Sequence, residues 1–134
     1  MTYVLDTNIV TALLKGNDKV KNRAERAIYE GKTIFINAIS YYEIKRGLLA
    51  ANAKVQLGKF ESLCKEFGLV LLDDQNVFDI AAEIYANLQQ RGRLIGDADI
   101  LMASVVCFRN FVLVSDNTKH FSRIPRLKTE NWLT

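Results

Sequence analysis

Four short stretches of this chain are apolar at nearly every position: Thr2–Leu5 (TYVL), Thr33–Ile36 (TIFI), Leu69–Leu72 (LVLL) and Phe111–Ser115 (FVLVS). They are too short for helices and lack the in–out alternation of a half-wetted strand, so each reads as a strand buried on both faces. Between them run segments with helical spacing. Asn8–Lys15 ends at Gly16, and a second helix capped by Asp18 or a neighbour runs to Glu30 with Val20, Ala24, Ala27 and Ile28 on one face. Ile39–Ala50, Val55–Phe67 and Asn76–Gln90 follow, and then DADILMASVVCF, which is apolar nearly all round and hence enclosed on most sides. Buried strands alternating with helices specify an α/β fold. The expectation is a three-layer α/β/α sandwich around a mainly parallel sheet of four to five strands, with RLKTENW as a fifth, edge strand.

The 134 residues form most economically one domain, 1–134, with neither internal repeat nor linker. No apolar run approaches the ~20 residues that cross a bilayer. The first residues lack the basic, apolar and small-residue blocks of a secretory leader. Cys64 and Cys107 sit in apolar helical segments without the paired spacing of a zinc site, which suits a reduced cytoplasm. A net charge of +3 does not by itself identify a nucleic-acid binder, so the placement of charge matters more than its total.

In an open parallel sheet, sites form at the carboxyl ends of the strands where the strand order changes direction. Asp6 stands at the carboxyl end of the first strand and Asp116 at that of the fourth. Glu43 falls early in the helix after the second strand, and Asp97 and Asp99 open the helix that feeds the fourth. Separate segments thus deliver acids to one edge of one sheet.

Each acid also has a purely structural explanation. Asp6, Thr7 or Asn8 could cap the first helix. Ser40 and Glu43 have the S-x-x-E spacing of a capping box. Asp97 and Asp99 lie where the helix dipole favours negative charge, and Asp116-Asn117 suits a turn. Two considerations favour a joint role. Asp99 shares a helix face with Met102, Ala103 and Val106, which points it into protein, where an unpaired carboxylate is costly. A cluster of acids also repels itself, and the nearby sequence offers no evident buried basic partner. Oxygen-only ligands suit a hard cation, Mg²⁺ or Mn²⁺. Such an ion polarises phosphoryl oxygens and activates water, so an acidic site on a basic protein points to phosphodiester hydrolysis.

Lys15, Lys45, Arg46, Arg91 and Arg93 lie in segments near that edge and are candidates to hold a nucleic-acid backbone, the alternative being a solvated face. Lys19, Lys21, Arg23 and Arg26 belong to a helix side left to solvent. His120, the only histidine, is a candidate proton shuttle or a packing residue. Trp132, Tyr41, Tyr42 and Tyr85 read as core or partner-facing rather than base-stacking.

At these residues the chain resembles the PIN-domain nucleases, and among them the VapC toxins of toxin–antitoxin pairs. The resemblance spans nearly the whole chain: YVLDTNIV, YYEIKRGL, GDADILMAS and VLVSDNTKHFSRIPRL occur in order at matching separations. It implies metal-binding acids at Asp6, Glu43, Asp99 and Asp116, with Asp6 and Asp99 the most direct ligands, Asp97 accessory, and Thr7 and Asn117 lining the site. The family often carries Asn or Thr where this chain has Asp116. It further implies a Mg²⁺-dependent endoribonuclease acting on structured RNA, often tRNA or ribosomal RNA, inhibited by a VapB-type antitoxin and usually dimeric. The segment Tyr41–Phe67, with Tyr, Leu and Phe between basic residues, has the composition of a groove for a partner helix, although two helices packing on each other explain it equally. A catalytically inactive PIN-like module that binds RNA or protein is the alternative. A receiver or haloacid-type phosphatase fits less well: LLDDQ supplies an acid after the third strand, but the first strand lacks the second acid both expect.

Overall fold

The computed structural model describes residues 1–134. The elements alternate as expected: β1 (Thr2–Leu5), α1 (Thr7–Leu14), α2 (Asp18–Tyr29), β2 (Thr33–Asn37), α3 (Ala38–Ala50), α4 (Lys54–Phe67), β3 (Leu69–Val70), α5 (Gln75–Gln90), α6 (Asp97–Arg109), β4 (Val112–Val114), α7 (Thr118–Phe121) and β5 (Thr129–Glu130). The strands form one sheet in the order β3-β2-β1-β4-β5, and every neighbouring pair is parallel.

The two faces of the sheet bury different side chains, as strand alternation requires. Tyr3, Leu5, Ile34, Ile36, Val112 and Val114 join residues of α1, α2, α3 and α4, together with Trp132, in one core cluster. Val4 and Leu113 join α5 and α6, with Phe121 and Ile124, in the other. The uniform apolarity of β1 and β4 follows from this double covering. Trp132 is buried against Tyr3 at 5.1 Å between ring centroids, and Arg23 lies over its ring while pairing with Glu130 at 3.0 Å. Arg23 is exposed as expected, with its guanidinium laid over the edge of that core. Of the tyrosines, Tyr41 stacks on buried Phe60, whereas Tyr42 and Tyr85 are exposed.

Three local expectations change. The third strand stops at Val70, whose partner Asn37 is the last residue of β2; beyond it β2 has become helix, and Leu71 has nothing to pair with. α3 starts earlier than the S-x-x-E spacing predicts. Asn37 is its cap, accepting from the Ile39 N–H at 2.8 Å, so Ser40 and Glu43 lie inside the helix and form no capping box. The short α7, which had no apolar periodicity to announce it, packs Phe121 into the core.

Candidate active site

The strand order reverses direction between β1 and β4, and Asp6 stands at the crevice between their carboxyl ends. The register Leu5↔Val114 places Asp6 beside Ser115, one residue past each strand. Asp6 is 6% exposed and Ser115 1%. The Ser115 hydroxyl donates to Asp6 Oδ2 at 2.7 Å, and the Thr7 N–H donates to Asp6 Oδ1 at 2.6 Å. Asp6 does cap α1, but its carboxylate is also gripped from the neighbouring strand.

From Asp6 the network runs both ways. Thr7 donates its hydroxyl proton to Glu43 Oε1 at 2.7 Å, with the Ser40 hydroxyl 2.9 Å away, which ties the first turn of α1 to α3. In the other direction Ser115 Oγ accepts from the Asn117 N–H at 2.9 Å, bending the chain after β4. Asn117 Nδ2 then meets His120 Nδ1 at 3.0 Å, and the same ring nitrogen lies 3.1 Å from Asp99 Oδ2. One nitrogen cannot accept from an amide N–H and also donate to a carboxylate. An Nδ1–H directed at Asp99 Oδ2, with the Asn117 amide turned so that its oxygen shares the same hydrogen, is consistent with both distances.

Burial pushes the Asp6 carboxyl above its ordinary range. The hydrogen bonds from Ser115 and Thr7 pull it back, and the negative charges of Asp99 and Glu43 push it up again. Three carboxylates from β1, α3 and α6 thus share one electrostatic environment. None of Asp6, Glu43, Asp97, Asp99 or Asp116 pairs with a lysine or arginine; His120 on Asp99 is the one basic partner.

The remaining candidates are placed unevenly. Asp99 is half-buried, its side chain 24% exposed, rather than enclosed, and Asp97 is exposed in the same first turn of α6. Asp116 is exposed and accepts from Asn8 Nδ2 at 3.1 Å. Asn117 is the residue of this turn that joins the network. Lys15 shares a groove with Thr7, Glu43 and Gln56. Lys45 turns away from Glu43, since two positions along a helix rotate a side chain by about 200°. Its ammonium meets the Tyr41 hydroxyl at 3.0 Å beside Glu61 and Cys64. Arg46 is exposed over the Tyr42 ring. Arg91 and Arg93 are exposed in the turn before α6, and Arg91 donates to the Arg123 carbonyl at 2.5 Å.

As a donor set, the acids fit a hard divalent cation. They are oxygen-only, mutually repulsive, and centred on a buried carboxyl whose charged form burial disfavours. As placed, no three of them close into a ready-made coordination shell, and each is held by its hydrogen-bond neighbours instead.

Residues 3–127 match the model of the PIN domain, and the chain belongs to the PIN-domain family. Within that family it is 34% identical to Ribonuclease VapC2 of Rickettsia felis across 98% of both chains. It is 29% identical to the tRNA(fMet)-specific endonuclease VapC of Shigella flexneri across 98% of both. Among solved structures, the crystal structure of VapBC2 from Rickettsia felis bound to a DNA fragment from its promoter contains a chain that superimposes with a TM-score of 0.89. That chain is 30% identical, over 98% of this chain and 99% of its own.

Ser115 and Ser40 are the site residues that sequence reasoning passed over. A small hydroxyl directly after a buried strand, in register with an acid after the adjacent strand, was the available signal for Ser115.

Proposed function

We propose that this chain, as one PIN domain, is a metal-dependent endoribonuclease of the VapC type that hydrolyses phosphodiester bonds in structured RNA, tRNA or ribosomal RNA. Asp6, Glu43 and Asp99 would hold Mg²⁺, for which Mn²⁺ substitutes, with Asp97 and Asp116 accessory. The observation that carries this reading is the buried Asp6 at the sheet's switch point, pushed up by burial and facing two further carboxylates without a lysine or arginine partner. The names of the relatives, a ribonuclease and a tRNA endonuclease, support RNA as the substrate class.

When bound, the ion polarises a phosphoryl oxygen and acidifies water. The chain's own residues do the rest. β1 is enclosed on both faces and fixes the origin of Asp6, while Ser115 and the Thr7 N–H set its orientation. Thr7 holds Glu43 towards the same crevice, and His120 holds Asp99. Lys15 and Arg93 are free at the rim to meet RNA phosphates, whereas Lys45 is engaged elsewhere.

A VapB-type antitoxin is the expected inhibitory partner, in line with the toxin–antitoxin assembly of the structural relative, within a dimer or toxin–antitoxin hetero-oligomer in the cytoplasm. No helix is long and apolar enough to cross a membrane.

The test is to incubate the purified protein with total cellular RNA, with Mg²⁺ or with EDTA, and sequence the new ends. Discrete cuts that require Mg²⁺ and vanish in Asp99→Asn are the expected result. Cutting by Asp99→Asn at the unaltered rate, or in excess EDTA, refutes the mechanism. Metal-independent RNA binding without cleavage would instead mark an inactive module.

A further inference from the structure

His120 reaches Asp99 from α7, a helix of one turn. So short a helix has no stability of its own, so something else must hold its ring against the carboxylate. Phe121 and Ile124 anchor the segment in the core at 1% and 4% exposure. The direct tie to the Asp99 side is Arg123. Its Nη1 donates to the carbonyls of Arg93 and Leu94, at 3.3 Å each. Arg91 returns the bond, Nη2 to the Arg123 carbonyl at 2.5 Å. Arg93 and Leu94 lead to Gly96, the N-cap of α6, whose third residue is Asp99.

The same α7 segment is thus fastened to the entrance of α6 at two points, through His120 and through Arg123. The Arg123 N–H bonds the His120 carbonyl at 3.2 Å, so the two anchors are also joined through the backbone. Arg123 Nε is enclosed without a partner, a cost that a residue serving only as a surface cation would not carry.

Resting on the reading of Asp99 as part of the active centre, we propose that Arg123 is a positioning residue. It clamps α7 to the loop before α6, so that His120 holds Asp99 in its working orientation. A phosphate-binding role suits it poorly, because its guanidinium already serves backbone carbonyls and is partly enclosed.

The test is steady-state cleavage of an RNA fragment carrying the mapped site, by the full chain and by Arg123→Ala, Arg123→Lys, His120→Ala, the double variant His120→Ala with Arg123→Ala, and Asp99→Asn. Arg123→Ala lowers kcat about tenfold, as loss of a partner behind a ligand does, with KM within about twofold. Arg123→Lys falls between, since one ammonium can still donate to both carbonyls as Nη1 does, but on a more flexible stem without the rigid guanidinium plane. It carries the same comparison if the alanine variant does not fold. On the His120→Ala background, Arg123→Ala costs less than about twofold, the mark of two residues acting as one unit. A raised KM at unchanged kcat, or the full tenfold loss without His120, overturns the clamp. Wild-type cleavage by Asp99→Asn removes the reading of the site itself. An inactive Asp99→Asn beside a fully active Arg123→Ala removes the clamp alone.

Discussion

Ser115→Ala isolates the hydrogen bond on which the buried acid depends. The hydroxyl is 1% exposed and donates to Asp6 Oδ2 at 2.7 Å, so water cannot replace it without reopening the core. The substitution also leaves the Asn117 N–H without its acceptor. A hydrogen bond to a charged group contributes about 1.5–3 kcal/mol, so the expected loss is about 2 kcal/mol at neutral pH. For a chain of this length that corresponds to about 7 °C in Tm.

The loss depends on pH with a defined sign. Ser115 favours the ionised form of Asp6, so removing it raises the native carboxyl further. A group raised in the native state loses its stabilising contribution as pH rises through that value, so the cost is greater at about pH 8 than at about pH 5. The assay is urea unfolding in EDTA at both pH values, for Ser115→Ala alone and combined with Asp6→Asn. On the Asn background the cost falls to about 1 kcal/mol, that of a neutral hydrogen bond. An equal cost on both backgrounds, or a cost that shrinks with rising pH, refutes the charge-assisted bond.

In EDTA, Asp6→Asn is more stable than the wild type at neutral pH and loses its pH slope, because the native Asp6 carboxyl is raised chiefly by burial. Mg²⁺ raises the Tm of the wild type and leaves that of Asp6→Asn nearly unchanged; thermal unfolding with and without Mg²⁺ checks both statements, and an equal Mg²⁺ shift in the variant counts against Asp6 as a ligand. Arg126 is exposed and held at φ 68°, a left-handed conformation that disfavours side chains. Arg126→Gly therefore gains about 0.5–1 kcal/mol in urea unfolding, the relief exceeding the added unfolded-state entropy; a destabilised variant would show that the arginine makes contacts which offset its strain.

The sequence alone determined the layered fold, because a strand enclosed on both faces must be apolar at every position, and that signal is local. β1, β2 and β4 were legible for this reason, and so was the delivery of Asp6, Glu43 and Asp99 to one edge, since the element order puts the strands' carboxyl ends there. How those acids are held depends on contacts between distant segments. The parallel register of β1 and β4 sets Ser115 beside Asp6, and no spacing within either segment encodes that pairing. Side-chain direction at a turn is equally non-local: Asp116 and Asn117 are adjacent, yet one meets Asn8 on the outside and the other joins His120 and Asp99. Glu43 read as half of a capping box because the true start of α3, at Asn37, is fixed by where β2 runs out of sheet. Composition and periodicity can say which groups reach a common place. Whether a carboxylate found there is bonded, paired or left in need of a cation depends on neighbours brought from far along the chain.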